Sequence, residues 1–150
     1  MGHSYYVSYE HIAFSTKNRV RYLDGDIRPR LLGFLAQASR NLDCPCLIAG
    51  GHDDHVHLLV RKGSLVLTPN LIKEIKRCSS VWMKEQGRQY LDFAWQQGYG
   101  AFSVSVSMLE TVKRYIATQE THHATRSWAV EFRLLLEHHQ IEFDERYYLD

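Results

Sequence analysis

The sequence predicts an α+β fold: a four-stranded antiparallel sheet of the ferredoxin-like, or RRM-like, βαββαβ type, with additional C-terminal helices. Two observations predict it. Apolar residues alternate or recur at the helical period in the order strand, helix, strand, strand, helix, strand. No repeat, low-complexity tract or Pro/Gly/Ser-rich linker divides the 150 residues. We therefore expect a single domain over residues 1–150.

The first half of the chain contains three strand patterns and one helix pattern. Residues 6–15 alternate β-branched, aromatic and polar side chains, which is typical of a strand. Apolar residues recur at helical spacing over residues 31–42. A β-hairpin follows, with strands at 46–49 and 55–60 and a glycine turn at 50–51.

The second half begins with a helix whose start is marked by Thr68 and Pro69, which suit the N-cap and N1 positions. Its apolar face continues towards Gly87. The rest of the chain is predicted to form two extended segments and two helices, at 93–95, 99–106, 109–123 and 127–139.

The composition excludes two classes of protein. The chain is 45% hydrophobic and has a net charge of only +1, whereas disorder requires low hydrophobicity and high net charge. The longest uninterrupted apolar stretch lies within residues 31–36, which is far shorter than a membrane-spanning helix. We expect a folded protein with neither a signal peptide nor a membrane partner.

The small net charge conceals an uneven distribution. Residues 61–90 contain seven basic and two acidic side chains, while residues 127–150 contain two basic and six acidic ones. A basic segment suits a polyanionic partner, although a solvated helix face produces the same pattern. The candidate DNA-binding residues are Lys73, Lys76, Arg77, Lys84 and Arg88.

His55 and His57 lie in the middle of the clearest strand pattern. Because side chains alternate along a strand, both imidazoles point to one face of the sheet, and Val56 points to the other. Two histidines on one face can bind one metal ion. The alternative interpretation is that they are polar residues on an exposed sheet face.

Tyr115 and Gln119 are four residues apart on a predicted helix, so both project from one side. A tyrosine nucleophile and a third metal ligand could share that side. Such a pair is also common at the boundary of an amphipathic helix.

Other residues near these candidates have two interpretations each. Asp54 could orient a metal-bound histidine or could simply be a turn residue. His122 and His123 follow Gln119 by about one turn and could replace it as ligand, act as a base, or serve capping and surface roles.

Three aromatic residues could stack on bases, but core packing is the favoured interpretation: Trp95, Tyr99 and Phe102. Residues 97–105 are small and turn-rich, and they predict a flexible hinge before the tyrosine helix.

Four segments together resemble the single-tyrosine HUH transposases of small bacterial insertion sequences. They occur in the family's order and span nearly the whole chain. The segments are 54–59 (DHVHLL), 95–105 (WQQGYGAFSVS), 115–123 (YIATQE followed by THH) and 143–147 (FDERY).

The resemblance implies a role for each matching residue. His55 and His57 would be metal ligands, Gln119 the third ligand, and Tyr115 the nucleophile. It also implies a ferredoxin-like homodimer that uses Mg²⁺ or Mn²⁺ to cut single-stranded DNA with hairpin ends. Cleavage would leave a 5′-phosphotyrosine, and the enzyme would act in the cytoplasm of a bacterium or archaeon, beside the nucleoid.

Three other functions fit parts of the pattern. A domesticated or replication-type nickase would use the same chemistry on short palindromes. A non-catalytic nucleic-acid binder could use the same RRM-like sheet but would need neither the histidine pair nor the Tyr-Gln helix. A small metal hydrolase would use His55, His57 and a carboxylate, and it would retain activity without Tyr115.

Overall fold

The computed structural model describes residues 2–123 and 125–150. Four strands form one sheet: β1 (Tyr9–Ser15), β2 (Cys46–Gly51), β3 (His55–Arg61) and β4 (Gly100–Val104). They lie in the order β2-β3-β1-β4, and every neighbouring pair is antiparallel. The predicted ferredoxin-like α+β fold is therefore confirmed.

The helices follow the predicted order. They are α1 (Ile27–Asn41), α2 (Thr68–Lys84), α3 (Leu109–Ala117), α4 (Gln119–His122) and α5 (Trp128–His138). Short 3₁₀ turns lie at Lys17–Arg19, Arg88–Tyr90 and Val106–Met108. Within the described ranges, no helix has both the length and the apolar content needed to span a membrane.

Each face of the sheet is covered by helices. On one face, side chains such as Ile12 and Leu58 are buried in a core that includes Leu35 of α1 and Ile75 of α2. On the other face, a second core forms around Ala13 and Phe102 of the sheet together with three side chains of α5: Trp128, Phe132 and Leu136. The face that the βαββαβ pattern leaves open is thus closed by the C-terminal helices.

Two details of the predicted hairpin and helix start were wrong. Gly50 and Gly51 are the last residues of β2, and the turn follows them. A Cβ added at Gly50 would lie 2.4 Å from the backbone oxygen of Ile116, so this glycine permits the close approach of α3. Thr68 is the first helical residue, preceded by Leu67, and its hydroxyl donates to Glu10 Oε1 at 2.6 Å.

The predicted hinge at residues 97–105 was also wrong, because most of it forms the regular strand β4. Gly100 is there for packing, since an added Cβ would lie 2.7 Å from the Phe132 ring. The single predicted helix 109–123 is divided at Thr118, where φ is −106° and ψ is 25°. Tyr115 and Gln119 consequently belong to α3 and α4.

Candidate functional site

His55 and His57 lie on the sheet face covered by α3, α4 and α5. Their partners in the neighbouring strand β1 are Ser15 and Ala13. Both histidines are 0% exposed. The interpretation of the pair as exposed polar residues is therefore wrong, and their buried ring nitrogens require partners within the fold.

Three oxygen atoms surround the His55 ring. Nδ1 lies 2.8 Å from Asp54 Oδ1, and Nε2 lies 2.9 Å from Gln119 Oε1 and 3.6 Å from Glu131 Oε1. A carboxylate only accepts, so the Nδ1 proton is donated to Asp54. In the neutral ring, Nε2 then presents a lone pair towards a carbonyl oxygen and a carboxylate. The His55 nitrogen and the two oxygens thus direct their lone pairs towards one point, and a positive charge at that point would stabilise them.

His57 bridges Glu131 and a histidine of β1. Its Nε2 lies 2.7 Å from Glu131 Oε1, and its Nδ1 lies 2.8 Å from His11 Nε2. Burial lowers the pKa of His57 to about 4 and holds the pKa of His11 well below its usual range. Both rings are therefore neutral at pH 7, which is the form that can bind a metal.

Glu131 of α5 is the acidic centre of this cluster. It is 1% exposed, and its second oxygen lies 2.8 Å from His123 Nε2. Although burial alone would raise the pKa of Glu131, its hydrogen bonds with His123 and His57 lower that pKa far below the usual range. Glu131 is consequently an ionised carboxylate held among imidazoles.

Sequence reasoning missed Glu131 and His11. A signal for Glu131 did exist, because it interrupts the apolar stripe that Trp128, Phe132 and Leu136 form along α5. A charged residue on such a stripe needs a buried partner. His11 gave a weaker signal. It lies two residues before Ala13, so both side chains point to the same face of the sheet, but only the pairing of β1 with β3 places His11 beside His57.

The donor set fits a divalent cation. One ligand atom each from His55, His57 and Glu131 all lie within 4.8 Å of one another. Gln119, which is 1% exposed, adds an amide oxygen on the same side. Two imidazoles with carboxylate and amide oxygens form a ligand set that suits Mn²⁺ and related ions.

Tyr115 lies beside this cluster in the same chain. Its ring centroid is 5.7 Å from that of His57 and 6.0 Å from that of His11. Burial, together with the nearby Glu131 carboxylate, raises the pKa of Tyr115 well above its ordinary value. The structure thus brings the predicted tyrosine, histidines and glutamine to one place.

The secondary candidates separate into two groups. Asp54 and His123 contact the cluster: Asp54 holds His55, and the His123 ring centroid lies 4.3 Å from that of His55, with the ring planes tilted by 57°. His122 instead contacts the Thr118 hydroxyl, with 3.0 Å between Nε2 and Oγ1. Trp95 and Phe102 are buried, whereas Tyr99 is 38% exposed.

Four of the five predicted DNA-binding residues line one cleft of about 420 Å³ between α2 and residues 93–99: Lys73, Lys76, Arg77 and Lys84. Lys76 Nζ donates to three backbone carbonyls, those of Gln96, Gln97 and Gly98. Arg77 pairs with Glu74 at 3.0 Å. Arg88 lies in the following 3₁₀ turn.

Comparison with known proteins gives one family and two related structures. The family model described as "Transposase IS200 like" matches residues 4–119. A crystal structure of a proposed transposase from Deinococcus radiodurans R1 is similar, with a TM-score of 0.62 and 22% identity over 79% of this chain and 96% of that chain. No curated protein sequence matches the chain.

The second structure is a REP-associated tyrosine transposase bound to a REP hairpin. It has a TM-score of 0.60 and 12% identity, and the match covers 82% of this chain and 74% of that chain. At these identities, both structures are evidence for the fold.

Proposed function

The chain belongs to the IS200-like transposase family, and from that premise we propose that it cleaves and rejoins single-stranded DNA at insertion-sequence ends through a 5′-phosphotyrosine. Tyr115 is the proposed nucleophile. His55 and His57 are the proposed metal ligands, with Gln119 and Glu131 as oxygen ligands. The cation is Mg²⁺ or Mn²⁺.

The observation that carries this proposal is the convergence of electron-pair donors at His55 Nε2. The Gln119 oxygen lies 2.9 Å and the Glu131 oxygen 3.6 Å from that nitrogen. Such groups repel one another unless a positive charge lies among them. Asp54, bonded to Nδ1, holds the ring so that Nε2 faces this point, as outer partners of metal-bound histidines do.

When bound, a divalent cation would polarise the scissile phosphate and offset the charge that develops on it. The ionised Glu131 adds a negative charge to a ligand set that would otherwise be neutral. A carboxylate with an amide oxygen suits hard ions, while the two imidazoles favour softer ones, and Mn²⁺ accepts both.

Tyr115 supplies the nucleophilic oxygen. Because the pKa of its phenol is raised, the hydroxyl remains protonated in the free protein at neutral pH. Attack forms the bond between Tyr115 Oη and phosphorus, with loss of the phenol proton, and breaks the bond between phosphorus and the 3′ oxygen. The departing oxygen takes up a proton and leaves as a 3′-hydroxyl. One phosphate ester replaces another, so a second 3′-hydroxyl can reverse the step and join new ends without ATP.

We propose single-stranded DNA with hairpin ends as the substrate, supported by the family and by the hairpin bound to the related transposase. The α2 cleft carries the positive charge that a phosphate backbone needs. Of the predicted DNA-binding residues, Lys73, Lys84 and Arg88 are proposed to contact phosphates directly. Lys76 and Arg77 already have partners, and we assign them to shaping the cleft and its potential.

We also propose that the protein is a homodimer, as the resemblance implies. Strands β2 and β4 are the edge strands of the sheet, and an edge strand is where a second copy can extend a sheet by pairing. Light scattering should give twice the 17.5 kDa of one chain. A mass of one chain across a wide concentration range would contradict this part of the proposal.

The decisive experiment tests for a covalent adduct. The protein is incubated with labelled single-stranded oligonucleotides from the ends of the element, with Mg²⁺ or Mn²⁺, and separated on denaturing gels. We expect an adduct with the native protein and with Tyr147→Phe, a control at an exposed tyrosine. Tyr115→Phe should give neither cleavage nor adduct, and His57→Ala should give the same result.

Two outcomes would contradict the proposal. Cleavage that persists in Tyr115→Phe without an adduct would indicate a metal hydrolase. Full activity of His57→Ala in metal-free buffer would remove the metal assignment. Hairpin-forming DNA on both sides of the gene would separate a mobile element from a domesticated nickase.

A further inference from the structure

A second cavity of about 510 Å³ lies between β4, α3 and α5. Residues of all three elements line it, among them Val104, Thr111, Val112 and Leu135, and His139 follows α5 at its edge. This volume is in the range of cavities that hold small organic ligands.

The cavity opens onto the proposed reacting centre. Tyr115 and His11 form part of its wall, and His11 Nε2 lies 2.8 Å from His57 Nδ1. A group bound in this cavity therefore lies next to the tyrosine and one residue away from a proposed metal ligand. If Tyr115 attacks a phosphate, the nucleotide beside that phosphate is the part of the substrate nearest to the cavity.

The lining suits a base better than a phosphate. Apolar side chains such as those of Val112 and Leu135 line the cavity together with hydroxyl groups such as that of Thr111. Among the residues that the structure describes, neither lysine nor arginine lines the cavity, in contrast to the α2 cleft. A flat heteroaromatic ring with polar edges matches this mixture, while a phosphate would lack a counter-charge.

The His139 ring is held in one orientation, which fixes which of its nitrogens donates a hydrogen bond and which accepts one. Its ring stacks on Phe102, with 4.2 Å between centroids and 19° between planes, and its Nδ1 lies 2.8 Å from the Leu135 carbonyl oxygen. A carbonyl only accepts, so Nδ1 carries the proton and, in the neutral ring, Nε2 remains an acceptor. This acceptor complements the amino and ring N–H groups on the Watson–Crick edge of an unpaired base.

We propose that this cavity binds one unpaired nucleobase of the single-stranded DNA, the base next to the phosphate that Tyr115 attacks. The proposal deepens the proposed function and rests on it for the identity of the substrate. Base binding itself needs neither a metal ion nor cleavage, so the two proposals can fail separately.

The test is a methyl and histidine NMR titration of the full chain with each of the four deoxynucleoside 5′-monophosphates. 2-Deoxyribose 5-phosphate, which lacks the base, is the matched control ligand. We expect the nucleotides to shift the signals of Val112, Leu135 and His139, and the sugar phosphate to leave them in place. Thr111→Phe, which fills the cavity from an exposed position on α3 one turn before Tyr115, should weaken nucleotide binding by about tenfold or more.

Ser107→Phe is the control variant, because Ser107 is exposed in the neighbouring 3₁₀ turn. This variant should bind nucleotides as the native protein does. Equal shifts with the sugar phosphate, or no shifts at millimolar nucleotide, would overturn the proposal. So would shifts that follow protein concentration instead of nucleotide, because a second copy of the chain would then occupy the cavity. An adduct assay that remains positive would show that the proposed function survives such a failure.

Discussion

Glu131 Oε1 lies 2.7 Å from His57 Nε2, and this contact joins α5 to β3 at the centre of the candidate site. The carboxylate is buried and is also hydrogen-bonded to His123, so it holds two histidine side chains in place. It brings the only negative charge within the group formed by His55, His57 and Glu131.

Glu131→Gln should therefore weaken metal binding while preserving the size of the side chain. We expect the dissociation constant for Mn²⁺, measured by electron paramagnetic resonance or calorimetry, to rise by at least the roughly 10–100-fold that loss of an outer partner of a metal site costs. Glu137→Gln is the matched control, because Glu137 lies on the same helix and is exposed. An unchanged Mn²⁺ affinity in Glu131→Gln would exclude the carboxylate as a ligand.

The site could be predicted from the sequence where it depends on local periodicity. The strand period puts His55 and His57 on one face, and the helical spacing brings Tyr115 near Gln119 even though the helix breaks at Thr118. Glu131 and His11 reach the site only through the closing of α5 over the sheet and the register of β1. Neither relationship is encoded in a short stretch of sequence.

The fold shows the same division. The order of elements followed from the periodic patterns, because each element buries one face. Gly50 and Gly100 were misread as turn and hinge residues, since glycine marks both flexible and tightly packed positions. Only the packed structure distinguishes the two, through Ile116 at Gly50 and Phe132 at Gly100.

Arg28 is expected to position the site from outside. Its guanidinium contacts Asp53 at 2.9 Å and Glu120 at 2.6 Å. Asp53 directly precedes Asp54, which is bonded to His55 Nδ1. Glu120 directly follows Gln119, whose side-chain oxygen contacts His55 Nε2. Arg28 thus joins the β2–β3 turn to α4.

Arg28→Ala should lower the free energy of unfolding by about 1–3 kcal/mol, because hydrogen bonds to charged groups are lost. It should also raise the Mn²⁺ dissociation constant, which a purely structural contact would not do. Denaturant titration and calorimetry measure the two effects, and Arg30→Ala, on the exposed side of α1, is the control. Loss of stability with unchanged Mn²⁺ affinity would limit Arg28 to a structural role.

Gly50→Ala should displace the tyrosine helix. The new methyl group would meet the Ile116 backbone at 2.4 Å, and backbone cannot move aside as a flexible side chain can. We expect a loss of about 1–3 kcal/mol in unfolding free energy from overpacking, with a larger loss of adduct formation. Gly33→Ala is the control, because nothing lies within 4 Å of a Cβ added at Gly33. Normal adduct yield in Gly50→Ala would argue that α3 need not dock here.

The lysines of the α2 cleft should divide by function. Lys73→Glu and Lys84→Glu should weaken binding to single-stranded DNA and flatten its dependence on salt, because each lysine releases about one counterion per phosphate contact. Fluorescence anisotropy at several salt concentrations measures both quantities. An unchanged salt dependence in the double variant would place DNA binding elsewhere.

Lys76→Met should instead destabilise the protein, by about 1–3 kcal/mol, because three backbone carbonyls lose their donor. Burial lowers the pKa of Lys76 to about 8, so its ammonium is still mostly charged at pH 7 and can donate to all three. Lys73→Met provides the control for loss of charge alone. Equal unfolding free energies for the two variants would contradict this assignment.

The last prediction concerns which chain supplies the tyrosine. Tyr115 lies by the His57 of its own chain, with 5.7 Å between ring centroids. The helix that carries it, α3, packs closely against Gly50 through Ile116. Gln119, one turn after Tyr115, contacts His55 at 2.9 Å. Moving α3 to a partner would break these contacts together. We therefore expect a mixture of Tyr115→Phe and His57→Ala proteins to form no adduct, even after subunit exchange, because neither chain retains a complete site.

The control is a mixture of Tyr115→Phe with native protein, which should give adduct in proportion to the native chains. Adduct formation in the first mixture would mean that the tyrosine of one subunit acts at the metal site of the other. In that case α3 would lose its contact with Gly50 during the reaction.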